Sequence, residues 1–183
     1  MGCGGILARH RSEGHRIAVV NLAGGGDRHS GLAGSARLAA DLLDASILNM
    51  GNESHRIPDL TGATAALKEV LETSRPGMLY IPTASSDRPS SVQIFELALS
   101  LGSAVPNILA YQDPGATGDF RPRLFVDLAP QIRKKIELVA LYDKLGLENV
   151  STELAKATAL YWGRYADAAE VVEPLEVIRH RSG

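Results

Sequence analysis

Short apolar runs alternate with amphipathic stretches along most of the chain. Six runs rich in valine, isoleucine, leucine or tyrosine are bounded by glycine, proline or polar residues, which is typical of buried strands. Between most of them, apolar side chains recur at three- and four-residue spacing, which predicts helices with one apolar face. The predicted strands are 15–22, 46–50, 78–82, 107–111, 123–128 and 168–178. The predicted helices are 5–13, 32–44, 62–74, about 90–102, 130–145 and 151–163.

This alternation predicts the fold class. Strands that alternate with helices favour an α/β domain with a doubly wound, mostly parallel sheet and right-handed crossovers. The 183 residues contain no repeat, linker or low-complexity tract. We therefore expect residues 1–183 to form a single domain.

Composition and charge argue against several classes of function. Hydrophobic residues make up 45% of the chain and charged residues 22%, with a formal net charge of −2, so an ordinary globular core is expected. No block of five Lys or Arg residues occurs, which argues against a nucleic-acid partner. No apolar run approaches the roughly 20 residues of a membrane span. The single cysteine, Cys3, cannot form an internal disulfide and fits a cytoplasmic protein.

Polar residues follow the first predicted strand, at the edge where α/β proteins bind ligands. Gly24, Gly25 and Gly26 come directly after it, and a glycine run can bring backbone N–H groups close to an anion. The run lacks G-x-G-x-x-G spacing, so a plain turn is the other interpretation. Asp27 and Arg28 come next and are predicted to contact a ligand, although a solvated loop would also carry such residues.

Four of the five histidines, all except His29 in the loop after the first strand, lie apart in the sequence and form none of the spacings that bind metals. They are His10, His15, His55 and His180. None belongs to an HxH, HxxH or HExxH pair, so the spacing predicts no metal site among them.

Three stretches of the chain occur in an order and at separations that match one known family. They are 2–8 (GCGGILA) with 13–20 (EGHRIAVV), 120–128 (FRPRLFVDL) followed by Lys135, and 163–171 (GRYADAAEV). Together they resemble the LmbE-like family of GlcNAc-phosphatidylinositol de-N-acetylases. The resemblance implies a Rossmann-like sheet, an oligomer, and a zinc-activated water that removes an N-acetyl group from a sugar-containing substrate.

The first metal motif of that family, AHPDD, supplies two metal ligands and the catalytic base from the end of the first strand. Here Met1 stands directly before Gly2, where the motif would end. The sheet is therefore predicted to lack its first central strand, which would leave unpaired backbone groups near the switch point. Either a longer polypeptide or another segment or subunit would fill that place.

The second metal motif, HPDH, should fall within residues 82–92, which contain no histidine. Alignment on Pro89 puts Ser91 in the place of the metal-binding His, and alignment on Asp87 puts Val92 there. A hydroxyl is a poor zinc ligand beside an imidazole, so we predict neither a catalytic nor a metal-binding residue, and no cofactor. Ser90 or Ser91 is interpreted as a helix cap, because no G-x-S-x-G elbow supports a serine nucleophile.

The resemblance also suggests ligand contacts. Arg37 stands where family members keep a helix arginine near the substrate, although a solvent-exposed helix arginine is the other interpretation. Asp87 and Arg88 survive from the family's loop and would either hold a polar ligand or form an ion pair. With Asp27 and Arg28, these are the predicted ligand-binding residues.

The sequence therefore predicts a homologue that has lost zinc-dependent amide hydrolysis. It would bind a sugar-like or N-acetylated small molecule, or act as a partner protein, as a homo-oligomer. The alternative is an active zinc-dependent de-N-acetylase whose AHPDD segment is encoded upstream of Met1, with a replacement ligand such as Asp87.

Overall fold

The computed structural model describes residues 2–22, 30–49, 60–167 and 169–181, and these form six α-helices and six strands. The helices are α1 (Gly4–Ser12), α2 (Ser30–Leu42), α3 (Leu60–Ser74), α4 (Pro89–Leu101), α5 (Ile132–Asp143) and α6 (Thr152–Ala166). The strands are β1 (Ala18–Asn21), β2 (Ser46–Asn49), β3 (Met78–Pro82), β4 (Asn107–Tyr111), β5 (Leu124–Asp127) and β6 (Val172–Arg179). Every predicted element is present, with its ends moved by a few residues, because hydrophobic periodicity locates an element better than its boundaries.

The starts of two helices show how local residues set those boundaries. α6 begins after Ser151, whose hydroxyl accepts a hydrogen bond from the Leu154 N–H at 3.0 Å. α4 begins at Pro89 after Arg88, without a side-chain cap. Proline has no N–H to satisfy and its φ is already helical, so no cap is needed. The interpretation of Ser90 or Ser91 as a cap is therefore wrong, because both residues lie within the first turn.

The strands confirm the α/β fold class and form a mixed rather than wholly parallel arrangement. β1 pairs with β2 and β3 pairs with β4, both in parallel. β6 then lies antiparallel between β4 and β5, which gives the order β3-β4-β6-β5. Two helices, α5 and α6, connect β5 to β6, and the chain enters β6 so that this strand runs antiparallel to both β4 and β5.

The described strands form two sheets, and β1 and β3 belong to different ones. Among the described residues, no strand pairs with the second edge of β1 or with the outer edge of β3. Side chains join the sheets instead, because Val20 and Leu22 belong to the same hydrophobic cluster as Leu79 and Ile81.

Helices cover the sheets and close the core. α3 and α4 pack over β3 and β4, while α1, α2, α5 and α6 form a connected layer through α5. None of the helices described is long and apolar enough to cross a lipid bilayer.

Candidate functional site

A cavity of about 320 Å³ lies at the carboxyl end of β4, the edge of the sheet where α/β proteins bind ligands. The loop after β4, the buried face of α5 and the first turns of α6 form its walls. The lining residues that matter below are Gln112, Asp113, Lys135, Val139, Leu154 and Ala155. Its volume is at the lower end of the range for small-molecule sites, which suits a ligand of about one sugar ring.

A buried ion pair anchors one wall of the cavity. The ammonium group of Lys135 lies 2.7 Å from the carboxylate of Glu173, and the two side chains are 8% and 0% exposed. The same carboxylate accepts hydrogen bonds from the backbone N–H groups of Gly5 and Ile6, at 2.8 and 2.7 Å. Glu173 thus satisfies the first turn of α1, where unpaired N–H groups and the helix dipole favour a negative charge. The pair fixes α1, α5 and β6 against one another.

A second buried carboxylate, that of Asp113, organises the loops at the cavity mouth. It accepts hydrogen bonds from the hydroxyls of Ser86 and Ser91 and from the N–H of Gly115 at 3.1 Å. Asp113 is 8% exposed, so these donors replace the water that an ionised carboxylate would otherwise need. The network holds the segment after β3 against the segment after β4.

Gly115 allows those two segments to approach closely. A Cβ atom at this position would overlap the Asp87 carboxylate and the Arg88 side chain. The Asp87 N–H donates to the Gly115 carbonyl at 2.9 Å, and the Thr117 N–H donates to the Ser85 carbonyl at 2.8 Å. A side chain at Gly115 would therefore have to displace the Asp87 and Arg88 side chains that pack against it.

Gln112 carries an oriented amide at the cavity wall. Its Oε1 accepts a hydrogen bond from the indole N–H of Trp162 at 2.8 Å. This bond assigns the other end of the amide, the NH₂ group, as a donor for another partner. Val139 and Leu154 supply apolar surface in the same cavity.

The zinc ion implied by this fold does not fit the described residues around the cavity. Of the described side chains that line it, Asp113 alone offers a carboxylate, imidazole or thiolate. Its two oxygens already accept hydrogen bonds from Ser86, Ser91 and Gly115. A catalytic zinc site needs three protein ligands and an open position, which one engaged carboxylate cannot provide.

The five predicted ligand-binding residues differ in where they lie relative to the cavity. Asp27 and Arg28 lie outside the described residues. Arg37 is exposed on α2 and is not among the residues that line the cavity. Asp87 and Arg88 lie beside Gly115 and are likewise not among the residues that line the cavity. The Arg88 guanidinium donates to the Glu148 carbonyl at 3.1 Å.

Sequence reasoning missed the buried polar residues that build the site. Asp113 and Gln112 directly follow the predicted strand at 107–111, and that position at a carboxyl strand end is a signal that could have found them. Lys135 was noted only as part of the family resemblance, and Glu173 carried no signal. The pair could not be predicted because the two residues are 38 positions apart and meet only when β6 returns beside α5.

Cys3 precedes α1 and is partly buried. Burial, reinforced by the negative charge of Glu173, raises the pKa of the Cys3 thiol to about 12. The helix N-terminus therefore does not activate this thiol, and Cys3 acts as a small residue at a tight turn. Burial likewise raises the pKa of Tyr111 well above its ordinary value.

Solved structures share this fold. No family model matches the sequence, and no curated protein sequence matches it. The conserved protein TT1542 from Thermus thermophilus superposes with a TM-score of 0.80 at 21% identity, covering 100% of this chain and 90% of that one. The N,N'-diacetylchitobiose deacetylase from Pyrococcus horikoshii superposes with a TM-score of 0.75 at 13% identity, covering 97% and 78%.

A third similar structure has a different reaction. The 4-carboxy-2-hydroxymuconate hydratase GalB from Pseudomonas putida KT2440 superposes with a TM-score of 0.72 at 15% identity, covering 98% of this chain and 91% of that one. At these identities the likeness shows the fold alone, an α/β fold of the kind that the sequence predicted. Because one fold carries both a deacetylase and a hydratase, function has to be argued from the site.

Proposed function

We propose that this protein binds a sugar-like or N-acetylated small molecule in the cavity after β4 and does not carry out zinc-dependent amide hydrolysis. The observation that carries the proposal is Asp113. Alignment of the family's second metal motif on Pro89 puts Ser91 in the place of the histidine, and the Ser91 hydroxyl donates to this buried carboxylate. In that alignment the side chain at the metal-ligand position is engaged in holding two loops together.

The cavity suits an acetamido group. Such a group has a carbonyl acceptor, an N–H donor and a methyl group. The NH₂ of Gln112 can donate to the carbonyl, and Val139 and Leu154 can contact the methyl group.

Two tryptophan substitutions on α6 test this proposal. Ala155→Trp would fill the cavity, whereas Ala157→Trp adds the same ring on the exposed side of the same helix. We expect N-acetylglucosamine to bind the wild-type protein and Ala157→Trp alike in calorimetric titration, and Ala155→Trp to lose binding. Glucosamine, which lacks the acetyl group, should bind more weakly than N-acetylglucosamine. Equal binding by both tryptophan variants would place the ligand elsewhere.

The alternative, an active zinc-dependent de-N-acetylase, makes a different prediction. It is favoured by the deacetylase among the similar structures and by the exposed carboxylate of Asp87 in the segment where the second metal motif would fall. It requires ligands from an AHPDD segment encoded upstream of Met1. Acetate release from N,N'-diacetylchitobiose should then depend on zinc and on that segment, and should fall in Asp87→Asn. Such turnover would overturn the proposed loss of hydrolysis.

We also propose that the protein is a cytoplasmic homo-oligomer. Cys3 is the only cysteine in the chain and its thiol is unreactive, which supports a cytoplasmic location. Exposed apolar side chains on α6 support self-association, because Leu160, Tyr161 and Tyr165 are 47%, 59% and 66% exposed. Tyr161 and Tyr165 lie one turn apart with their rings stacked at 6.3 Å. Sedimentation of Tyr161→Ser/Tyr165→Ser should show a shift towards monomer relative to wild type.

A further inference from the structure

The C-terminal end of α1 folds back in a way that brings two histidines together. The Gly14 N–H donates to the Arg11 carbonyl and the His15 N–H donates to the His10 carbonyl, both at 3.0 Å. These bonds, with Gly14 at φ +84°, form a Schellman cap. In this cap the side chains at the positions of His10 and His15 pack against each other, and they are usually apolar. Here the backbone places two imidazoles in that contact.

Glu13 completes a cluster of three potential ligand atoms. The Nδ1 atoms of His10 and His15 are 3.1 Å apart. The Glu13 Oε2 atom lies 3.8 Å from the former and 3.7 Å from the latter. Ligand atoms that share a zinc ion at its usual bond lengths lie roughly 3.3–3.5 Å from one another. A cation between these atoms therefore needs shifts of only a few tenths of an ångström.

Groups around the cluster hold two of its members in place. The second nitrogen of His10, Nε2, lies 2.7 Å from the Tyr80 hydroxyl. In the tautomer in which Nε2 donates to this oxygen, Nδ1 keeps its lone pair for a metal, as metal-bound histidines do. The other oxygen of Glu13, Oε1, accepts from the Arg9 side chain at 2.8 Å, which turns Oε2 towards the imidazoles.

We propose that His10, Glu13 and His15 form a binding site for a divalent transition-metal cation, zinc above all, with solvent as the fourth ligand. Two imidazoles and one carboxylate are a donor set that zinc accepts. The side chains are 24%, 41% and 60% exposed, so the cation can enter from solvent. The three ligands have the spacing H-x-x-E-x-H. They do not all lie on one helix, because His15 comes after the C-terminal cap of α1.

This site is separate from the cavity. His10 lies six residues along α1 from Gly4, or roughly 9 Å at the rise of an α-helix. A cation there would tie the C-terminal turn of α1 to the segment that leads into β1. We assign it a structural role at that turn and no part in chemistry at the cavity. The site therefore stands whether or not the proposed ligand binding is correct.

Zinc titration of untagged, chelator-treated protein tests the site. We expect one zinc ion per chain by calorimetry and a higher melting temperature with zinc. Glu13→Gln, His10→Gln and His15→Gln should each weaken zinc binding at least about tenfold, and Tyr80→Phe by about tenfold through His10. Cobalt(II) should give the visible absorption of a four-coordinate ion, and His15→Gln should abolish it. Circular dichroism of each variant without metal checks that the fold is retained.

Matched histidine variants make the outcome decisive. His180→Gln removes an exposed histidine whose ring bonds to Asn107, far from the cluster in sequence, and should leave zinc binding unchanged. His29→Gln and His55→Gln change histidines outside the described residues and should also have no effect. Zinc binding that persists in His10→Gln/His15→Gln, or that depends on His29 or His55, would overturn the proposal. So would the absence of zinc binding, since one hydrogen bond between the two Nδ1 atoms would then account for the contact.

Discussion

At its first turn α1 donates two backbone N–H groups to Glu173, a fully buried carboxylate paired with Lys135. At its last turn the same helix carries His10 close to Glu13 and His15, with side chains that reach solvent. Both ends gather polar groups, but they use them differently. Burial at the first turn requires every acceptor to be engaged, which leaves no coordination position for a ligand. Exposure at the last turn leaves lone pairs that a cation can use.

The largest expected effect comes from breaking the buried pair. Lys135→Met should lower the free energy of unfolding by about 3–5 kcal/mol, because Glu173 would remain buried and uncompensated. Its neighbour on α5 is the matched control. Lys134 forms an exposed pair with Glu137 at 2.8 Å, so Lys134→Met should cost no more than about 1 kcal/mol. Urea unfolding measures both, and equal losses would mean that burial does not determine the strength of these pairs.

The next largest effect is expected at the cavity mouth. Asp113→Ala should cost about 1–3 kcal/mol, because two hydroxyls and one N–H would lose their acceptor. It should also weaken binding in the cavity by loosening the loops that Asp113 joins. Asp119→Ala removes an exposed carboxylate further along the same loop and should change neither quantity. If Asp113→Ala keeps the stability and the ligand binding of the wild-type protein, Asp113 does not organise these loops.

A smaller effect is expected at the cap of α1. Gly14→Ala should cost about 1–2 kcal/mol because φ is +84° there, while no atom lies close enough to clash with the added Cβ. Zinc binding should weaken with it, since the cap sets the position of His15. Gly34 also has open space around a Cβ but lies within α2, so Gly34→Ala should stabilise the helix by up to about 1 kcal/mol. If thermal unfolding shows a lower stability for Gly14→Ala and a higher stability for Gly34→Ala, the loss at Gly14 comes from backbone strain and not from packing.

The smallest effect concerns Cys3. With its pKa raised to about 12, about one thiol in ten thousand is ionised at pH 8, so alkylation by iodoacetamide should be slow until the protein is unfolded. The ordinary pKa of this thiol is 9.0, so the unfolded chain releases the proton first. The stability linked to Cys3 is therefore present below pH 9 and is lost as the pH rises towards 12. Mass spectrometry of alkylated protein checks the rate, and rapid labelling of folded protein would contradict the burial of the thiol.

The residues chosen from the sequence are not the ones that line the cavity, for an identifiable reason. Asp87 and Arg88 were chosen from the family's loop and lie beside Gly115 in the loop between β3 and α4, but they are not among the residues that line the cavity. Arg37 was chosen in the same way but lies exposed on α2. The position of a residue on a helix can be inferred from relatives. Whether its side chain lines a cavity also depends on the neighbouring segments, which can differ between this chain and its relatives. The ligand-binding role of all five predicted residues remains a prediction.

Local patterns were enough to determine the elements, the α/β class and the lack of histidine in the 82–92 segment. Each of these depends on residues near one another in the chain. Only the tertiary structure brought Glu173 to Lys135 and to the first turn of α1, because no spacing rule links residues from opposite ends of the sequence. It also joined His10 to His15, which needed the left-handed turn at Gly14 rather than a helical repeat. Periodicity records how a chain segment is buried, whereas the chemistry of a site depends on which segments meet.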